Sequence, residues 1–169
     1  MKIYYREKSG GIEILRCFGI EGRVEIPGMI DDKLVISAAP YAFSSHMDEK
    51  EDLKNASLWE VSDGLEFGRE EHVLAGNDVE EIVFPYTLKE IGRYIFYGCG
   101  NLKKLEFSDS LMQIGCGAFT GCHALEKLTV HMEQGKKSGV KEMLGEMWQR
   151  IDVNFLYEYE ERCFQRNIL

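Results

Sequence analysis

Apolar positions recur at a fixed period through residues 79–132. Laying residues 79–101 over 102–124 gives identities at Phe84/Phe107, Leu88/Leu111, Ile91/Ile114, Gly92/Gly115, Phe96/Phe119, Gly98/Gly121 and Cys99/Cys122, each pair 23 residues apart. Apolar character is also kept at Val79/Leu102/Leu125, Ile82/Leu105/Leu128 and Phe84/Phe107/Val130. The residues that repeat are the buried kind and glycines, while Lys, Glu and Arg positions drift. That is the pattern of units stacked on a common core.

Within a unit, Leu102, Leu105 and Phe107 end in the alternation of a half-buried strand. A polar turn follows at Ser108, Asp109 and Ser110. Leu111, Ile114 and Gly115 bring the chain back inward, and Ala118, Phe119, Gly121 and Cys122 form a tight corner. Gly92 and Gly115 are expected to hold a backbone conformation that a side chain would forbid. One unit cannot cover its own apolar edge, so successive strands are predicted to pair into a parallel sheet. An earlier, irregular unit runs over residues 24–46. There Pro27 matches Pro85 and Phe43 matches Phe96, with five extra residues placed in a longer turn at 28–33, and Ser45 and His46 stand where Gly98 and Cys99 would be.

The ends of a short solenoid need lids. Ile3-Tyr4-Tyr5, Ser9-Gly10-Gly11 and Ile12-Glu13-Ile14 read as a hairpin with a glycine turn. Val140, Met143, Leu144, Met147 and Trp148 fall at i, i+3, i+4, i+7 and i+8, an amphipathic helix. After it Ile151, Val153, Phe155, Tyr157 and Tyr159 alternate, which favours a strand, with a helix continuing through Arg166 as the second reading. The fold class expected is α+β, mostly β: a short leucine-rich-repeat-like solenoid with a parallel sheet, an N-terminal β-hairpin cap and a helix-plus-strand C-terminal cap. The expected division is one domain over 1–169: hairpin cap 1–23, degenerate repeat 24–46, acidic insertion 47–78, regular repeats 79–132 and C-terminal cap 133–169.

Phe84, Ile91, Phe96, Cys99, Phe107, Ile114, Phe119 and Cys122 are expected in the core. Strand alternation then turns Glu81, Val83, Lys104, Glu106, Lys127 and Thr129 outward. Stacking sets them in two columns, Glu81–Lys104–Lys127 and Val83–Glu106–Thr129, and this face is the candidate protein-binding surface. Mixed charge in such columns is equally the mark of a merely solvated face.

Charge adds one feature. The net charge is −9, and residues 47–81 alone, with twelve acidic and three basic groups, carry all of it. Such a segment repels polyphosphate and argues against a nucleic-acid partner; it reads as a solvated insertion or as an acidic docking arm. No apolar run reaches the 18 or so residues of a membrane helix, and residues 1–8 show no apolar h-region and no cleavage site, so the chain as written is expected in the cytoplasm, without membrane insertion. Five cysteines, an odd number with no C-x-x-C pair, are expected reduced.

Candidate chemistry is thin. Cys99, Cys122 and His123 supply three ligands where tetrahedral zinc needs four, so small apolar fillers are the expected role of the two thiols. His46, His72 and His131 share no spacing, and no G-x-S-x-G, Walker or H-E-x-x-H pattern occurs. No catalytic residue, cofactor or metal is expected. The function classes left are a protein- or peptide-binding module, a structural remnant of a larger repeat protein, and an enzyme with a pocket between the acidic segment and the repeats.

Val-x-x-Ile-x-Phe-Pro followed by Leu-x-x-Ile-Gly and Phe-x-Gly-Cys, the pattern of residues 79–99, resembles the BspA-type leucine-rich repeat of bacteria. The resemblance covers 79–132 closely and 24–46 loosely. It implies a solenoid, an unidentified protein or peptide as partner, and a role in adhesion or protein–protein contact, with relatives often secreted or surface-exposed.

Overall fold

In the computed structural model, which describes residues 1–61, 70–133, 139–145, 147 and 150–158, the chain winds through two sheets. It opens with a hairpin, β1 (Lys2–Lys8) and β2 (Gly11–Gly19), and then enters the first coil with β3 (Arg23–Glu25). The short strand β4 (Met29–Ile30) turns back into β5 (Lys33–Ala38), and α1 (Glu49–Asp52), β6 (Ser57–Glu60) and β7 (His72–Val73) follow. The regular coils supply β8 (Glu81–Val83), β9 (Glu90–Ile91), β10 (Lys104–Ser108), β11 (Gln113–Ile114) and β12 (Lys127–Glu133). The chain then makes α2 (Val140–Leu144) and β13 (Asp152–Glu158).

The front sheet has the order β13-β12-β10-β8-β3. All four pairings are parallel, and the 23-residue period is its register: Ile82 faces Leu105 and Leu105 faces Leu128. The regular repeats account for three of its five strands. β3 joins from the irregular unit, with Val24 opposite Ile82, and β13 joins from the far end, with Val153 opposite Leu128. Residues 152–158 are therefore strand rather than helix, as their alternation favoured, while Tyr159 and Arg166 lie outside the described residues.

The back sheet is built from the returning limbs β11, β9 and β5, which stack in parallel. β2 continues it in parallel beside β5, β1 pairs with β2 and β6 with β1, both antiparallel. The hairpin thus lids the back sheet alone. The extra residues of the irregular unit form the β4–β5 hairpin, whose turn residues Asp31 and Asp32 take φ of 48° and 62°, the left-handed backbone of a two-residue hairpin turn. Between the sheets Ile3, Ile14, Val24, Ile82, Leu105 and Leu128 meet the corner residues Phe43 and Phe96, all buried.

Four expectations need correction. Gly92 and Gly115 are not glycine for their φ: a Cβ on Gly92 would lie 2.4 Å from Pro40 N, and one on Gly115 2.2 Å from Arg93 N. Coils approach each other so closely here that only a hydrogen fits. The acidic segment is not simply solvated, because β6 pairs with β1 and β7 with β2. The helix after residue 139 is short, ending at Leu144 before Gly145 with φ 56°, a backbone that only glycine holds easily. Finally, Ile114, Phe119 and Cys122 are half-buried where Ile91, Phe96 and Cys99 are fully buried. Among the described residues β11 is the last limb of the back sheet, so no further limb stacks on this corner there.

Candidate binding face of the front sheet

Alternation along β8, β10 and β12 turns Ile82, Leu105 and Leu128 inward and the residues on either side outward. The parallel register then lines Arg23, Glu81, Lys104, Lys127 and Asp152 in one row across all five strands. The next row is Glu25, Val83, Glu106, Thr129 and Asn154. The six residues singled out from the sequence stand in the middle of these rows. Arg23, Glu25, Asp152 and Asn154 flank them, on strands whose spacing departs from 23.

Charges in the first row are not all matched. The Arg23 guanidinium reaches Glu81 at 3.3 Å and Glu25 at 3.4 Å, and the two carboxylates hold its pKa above the ordinary value against the opposing effect of burial. Lys104 and Lys127 lie side by side on adjacent strands, both exposed, and neither makes an ion pair among the described residues. Like charges directly opposite in a sheet repel.

The second row is less open than the sequence suggested. Thr129 is only 6 % exposed. Glu106 and Asn154 flank it on either strand, and His131 follows it two residues along the same face. His131 is itself buried, its Nε2 2.9 Å from Glu106 Oε2 and its ring 5.4 Å from that of Tyr86, edge to face. Ser108, in register with His131, is held by Ser110 and by the Tyr86 carbonyl. A small polar cluster of Tyr86, Glu106, Ser108 and His131 therefore backs the face. The serine and histidine recur in no other unit, so periodicity gave no signal for it.

Cys99 and Cys122 take equivalent corners. Each thiol donates to the carbonyl one coil back, Cys99 to Phe43 O at 3.1 Å and Cys122 to Phe96 O at 3.3 Å. Among the described residues no group of three or more His, Cys, Asp or Glu is placed to hold a metal ion, and His123 joins neither thiol in such a group. No described helix is long and apolar enough to cross a membrane.

The family model of the BspA type leucine rich repeat region, a model of six copies, matches residues 70–167, more than half of the chain. The chain belongs to the BspA-type leucine-rich-repeat family. Its coils are mostly β, with the parallel strands of such a solenoid on the front and short returning limbs behind. Leucine-rich repeats of this kind are modules commonly used for protein interaction. Among solved structures, this BspA-type chain is similar to a leucine rich repeat protein of T. pallidum, TpLRR, in its crystal structure. The two are 22% identical, with 91% of this chain and 79% of that chain covered at a TM-score of 0.38, a likeness too loose to add to the family match. No curated protein matches the chain.

Proposed function

We propose that this protein is a non-enzymatic binding module that takes a protein or peptide segment on the outer face of its front sheet. One observation carries the reading: Lys104 and Lys127 lie exposed and adjacent without an ion-pair partner among the described residues, although the chain bears a net charge of −9. Holding two like charges together on a flat sheet costs free energy that an incoming carboxylate would recover. Extended sheet faces are also the surface that solenoids generally use for recognition. The partner segment that fits is extended and carries at least one Asp or Glu opposite the lysine pair. Glu81, Val83, Glu106 and Thr129 would line its path, with Glu106 held in place by His131.

A displayed library of random peptides, selected on the full chain, tests this. Enrichment of acidic sequences is expected, with binding lost in the double variant Lys104→Glu, Lys127→Glu whose circular dichroism matches the parent. A double variant that keeps its fold and selects the same peptides equally well would remove the front sheet as the site. A chain serving only as a scaffold would select nothing.

A further inference from the structure

The corner of each coil carries a residue in the left-handed backbone region, and two of the three are tyrosines. Tyr41 N–H donates to Arg93 O and Tyr94 N–H to Cys116 O, which sets Tyr41, Tyr94 and Gly117 in one column. Their φ values are 60°, 51° and 66°. For a bulky side chain this backbone is strained, and such strain gathers at functional sites. Gly117 shows what the column otherwise uses. It has no side chain, and a Cβ there would sit 2.2 Å from Tyr94 Cε1.

The two tyrosine rings stack, with centroids 5.6 Å apart and planes at 16°. Behind Tyr41, Tyr94 occupies one face. A cleft of about 390 Å³ is lined by Tyr41 and not by Tyr94, within the range of small-ligand pockets. The polar walls are Asp48, Asp52, His46, Arg93 and Arg6. Arg6 is bonded to Glu13, Nε to Oε2 at 2.6 Å. Arg93 is exposed and makes no ion pair among the described residues. Asp48 and Asp52 supply acceptors and the Arg93 guanidinium supplies donors, so the walls are rich in both.

We infer that this cleft binds a neutral sugar ring, its apolar C–H face laid on the open face of Tyr41. Its hydroxyls donate to the Asp48 and Asp52 carboxylates and accept from the Arg93 guanidinium. A hydroxyl both donates and accepts, so a polyol satisfies walls of both signs at once. A cation would meet Arg93, and an anion would meet two carboxylates. An aromatic platform with a few convergent polar groups is the general form of a small-molecule site. The cleft shares no residue with the front sheet, and the inference stands apart from the proposed peptide site.

The test is titration of the full chain with glucose, galactose, mannose and N-acetylglucosamine, followed by saturation-transfer NMR and calorimetry, with argininamide and acetate as the cationic and anionic probes. At least one sugar is expected to bind with a Kd of about 1 mM to 10 mM. Tyr41→Gly should weaken it by roughly tenfold or more without lowering the thermal midpoint, because glycine holds this φ without strain. A residue kept only for packing would show the reverse, a lower midpoint. Asp52→Asn, an exposed change away from the corner, should weaken binding as well and carries the test if removal of the ring costs the fold. Absence of saturable binding by all four sugars, binding of argininamide or acetate alone, or sugar binding unchanged by Asp52→Asn would each overturn the inference.

Discussion

Each buried thiol at a corner does two things: it fills a space a larger side chain would overpack, and it caps a carbonyl of the previous coil. Burial pushes the Cys99 and Cys122 thiols from an ordinary 9.0 up to about 12, and the fully buried Cys17 equally far. A thiol whose pKa is raised by folding holds its proton more tightly in the folded state. Its stabilisation is complete below the unfolded value and drains away as pH rises toward the folded one. The melting temperatures of the parent and Cys99→Ala should therefore converge as pH rises from about 9 toward about 12. Parallel curves would show that the thiol does not ionise on unfolding. Under native conditions a thiol reagent should reach the exposed Cys116 first and Cys17 and Cys99 only on unfolding. The same inequality between coils applies to the phenylalanines. Phe96 is wholly buried between Phe43 and Phe119, while Phe119 is half-buried with its ring against Phe96. Truncating Phe96 to alanine should cost about 3–5 kcal/mol in urea unfolding, and Phe119→Ala clearly less. Equal losses would mean that another layer covers the last corner.

At the scale of elements, the first coil solves the problem of having no coil before it with a single side chain. In later coils a corner carbonyl accepts an N–H from the coil before: Phe43 N donates to Ile95 O, Phe96 N to Ala118 O and Gly98 N to Thr120 O. The matching carbonyls of the first coil, on Ala42 and Ser44, accept instead from Arg16 Nη1, at 3.1 and 2.6 Å, while its Nε and Nη2 reach Glu49. Arg16 is 2 % exposed. An orphaned buried carbonyl costs about 1–3 kcal/mol, so Arg16→Met should destabilise by about 3 kcal/mol. Glu49→Gln, at the solvent end of the pair, should cost under about 1 kcal/mol. Similar losses in the two variants would assign the effect to the ion pair and not to the cap. Nothing in the sequence marks Arg16 for this role, because its carbonyl partners lie more than twenty residues away and share no motif with it. The register of β8, β10 and β12 was legible, since a constant period and stacked cores admit one pairing. β13 was legible as a strand from its alternation, but its place in the sheet was not: it lies 25 residues after β12, from 127 to 152. The pairing of β6 was hidden for a different reason. A four-residue strand such as Ser57–Glu60 is recruited by the open edge of β1, and an edge leaves no pattern in the strand that covers it.

Across the whole molecule, the two sheets end differently, and the ends decide what the chain tolerates. The back sheet is closed at one end by the hairpin and β6, and runs out at β11. The front sheet runs out at β3 and β13. α2 and β13 together close the far end of the core, since Val140 and Leu144 are buried and Val153 and Phe155 pack against the same cluster. Removing residues 139–169 would uncover Leu125, Leu128, Val130 and Met132 and turn β12, paired to β13 over seven residues, into an open parallel edge. An open apolar edge of that length is a template for further chains. Charge does not change this outcome. The deletion takes away four basic and six acidic groups, a net −2, so the fragment keeps −7 of the original −9 and stays well clear of neutrality. The fragment of residues 1–138 is therefore expected to aggregate or to unfold without a cooperative transition, read by light scattering after size exclusion and by thermal melting. A monomeric fragment that melts in one sharp step would show that the coils close their own core, and that α2 and β13 are an appendage rather than the lid.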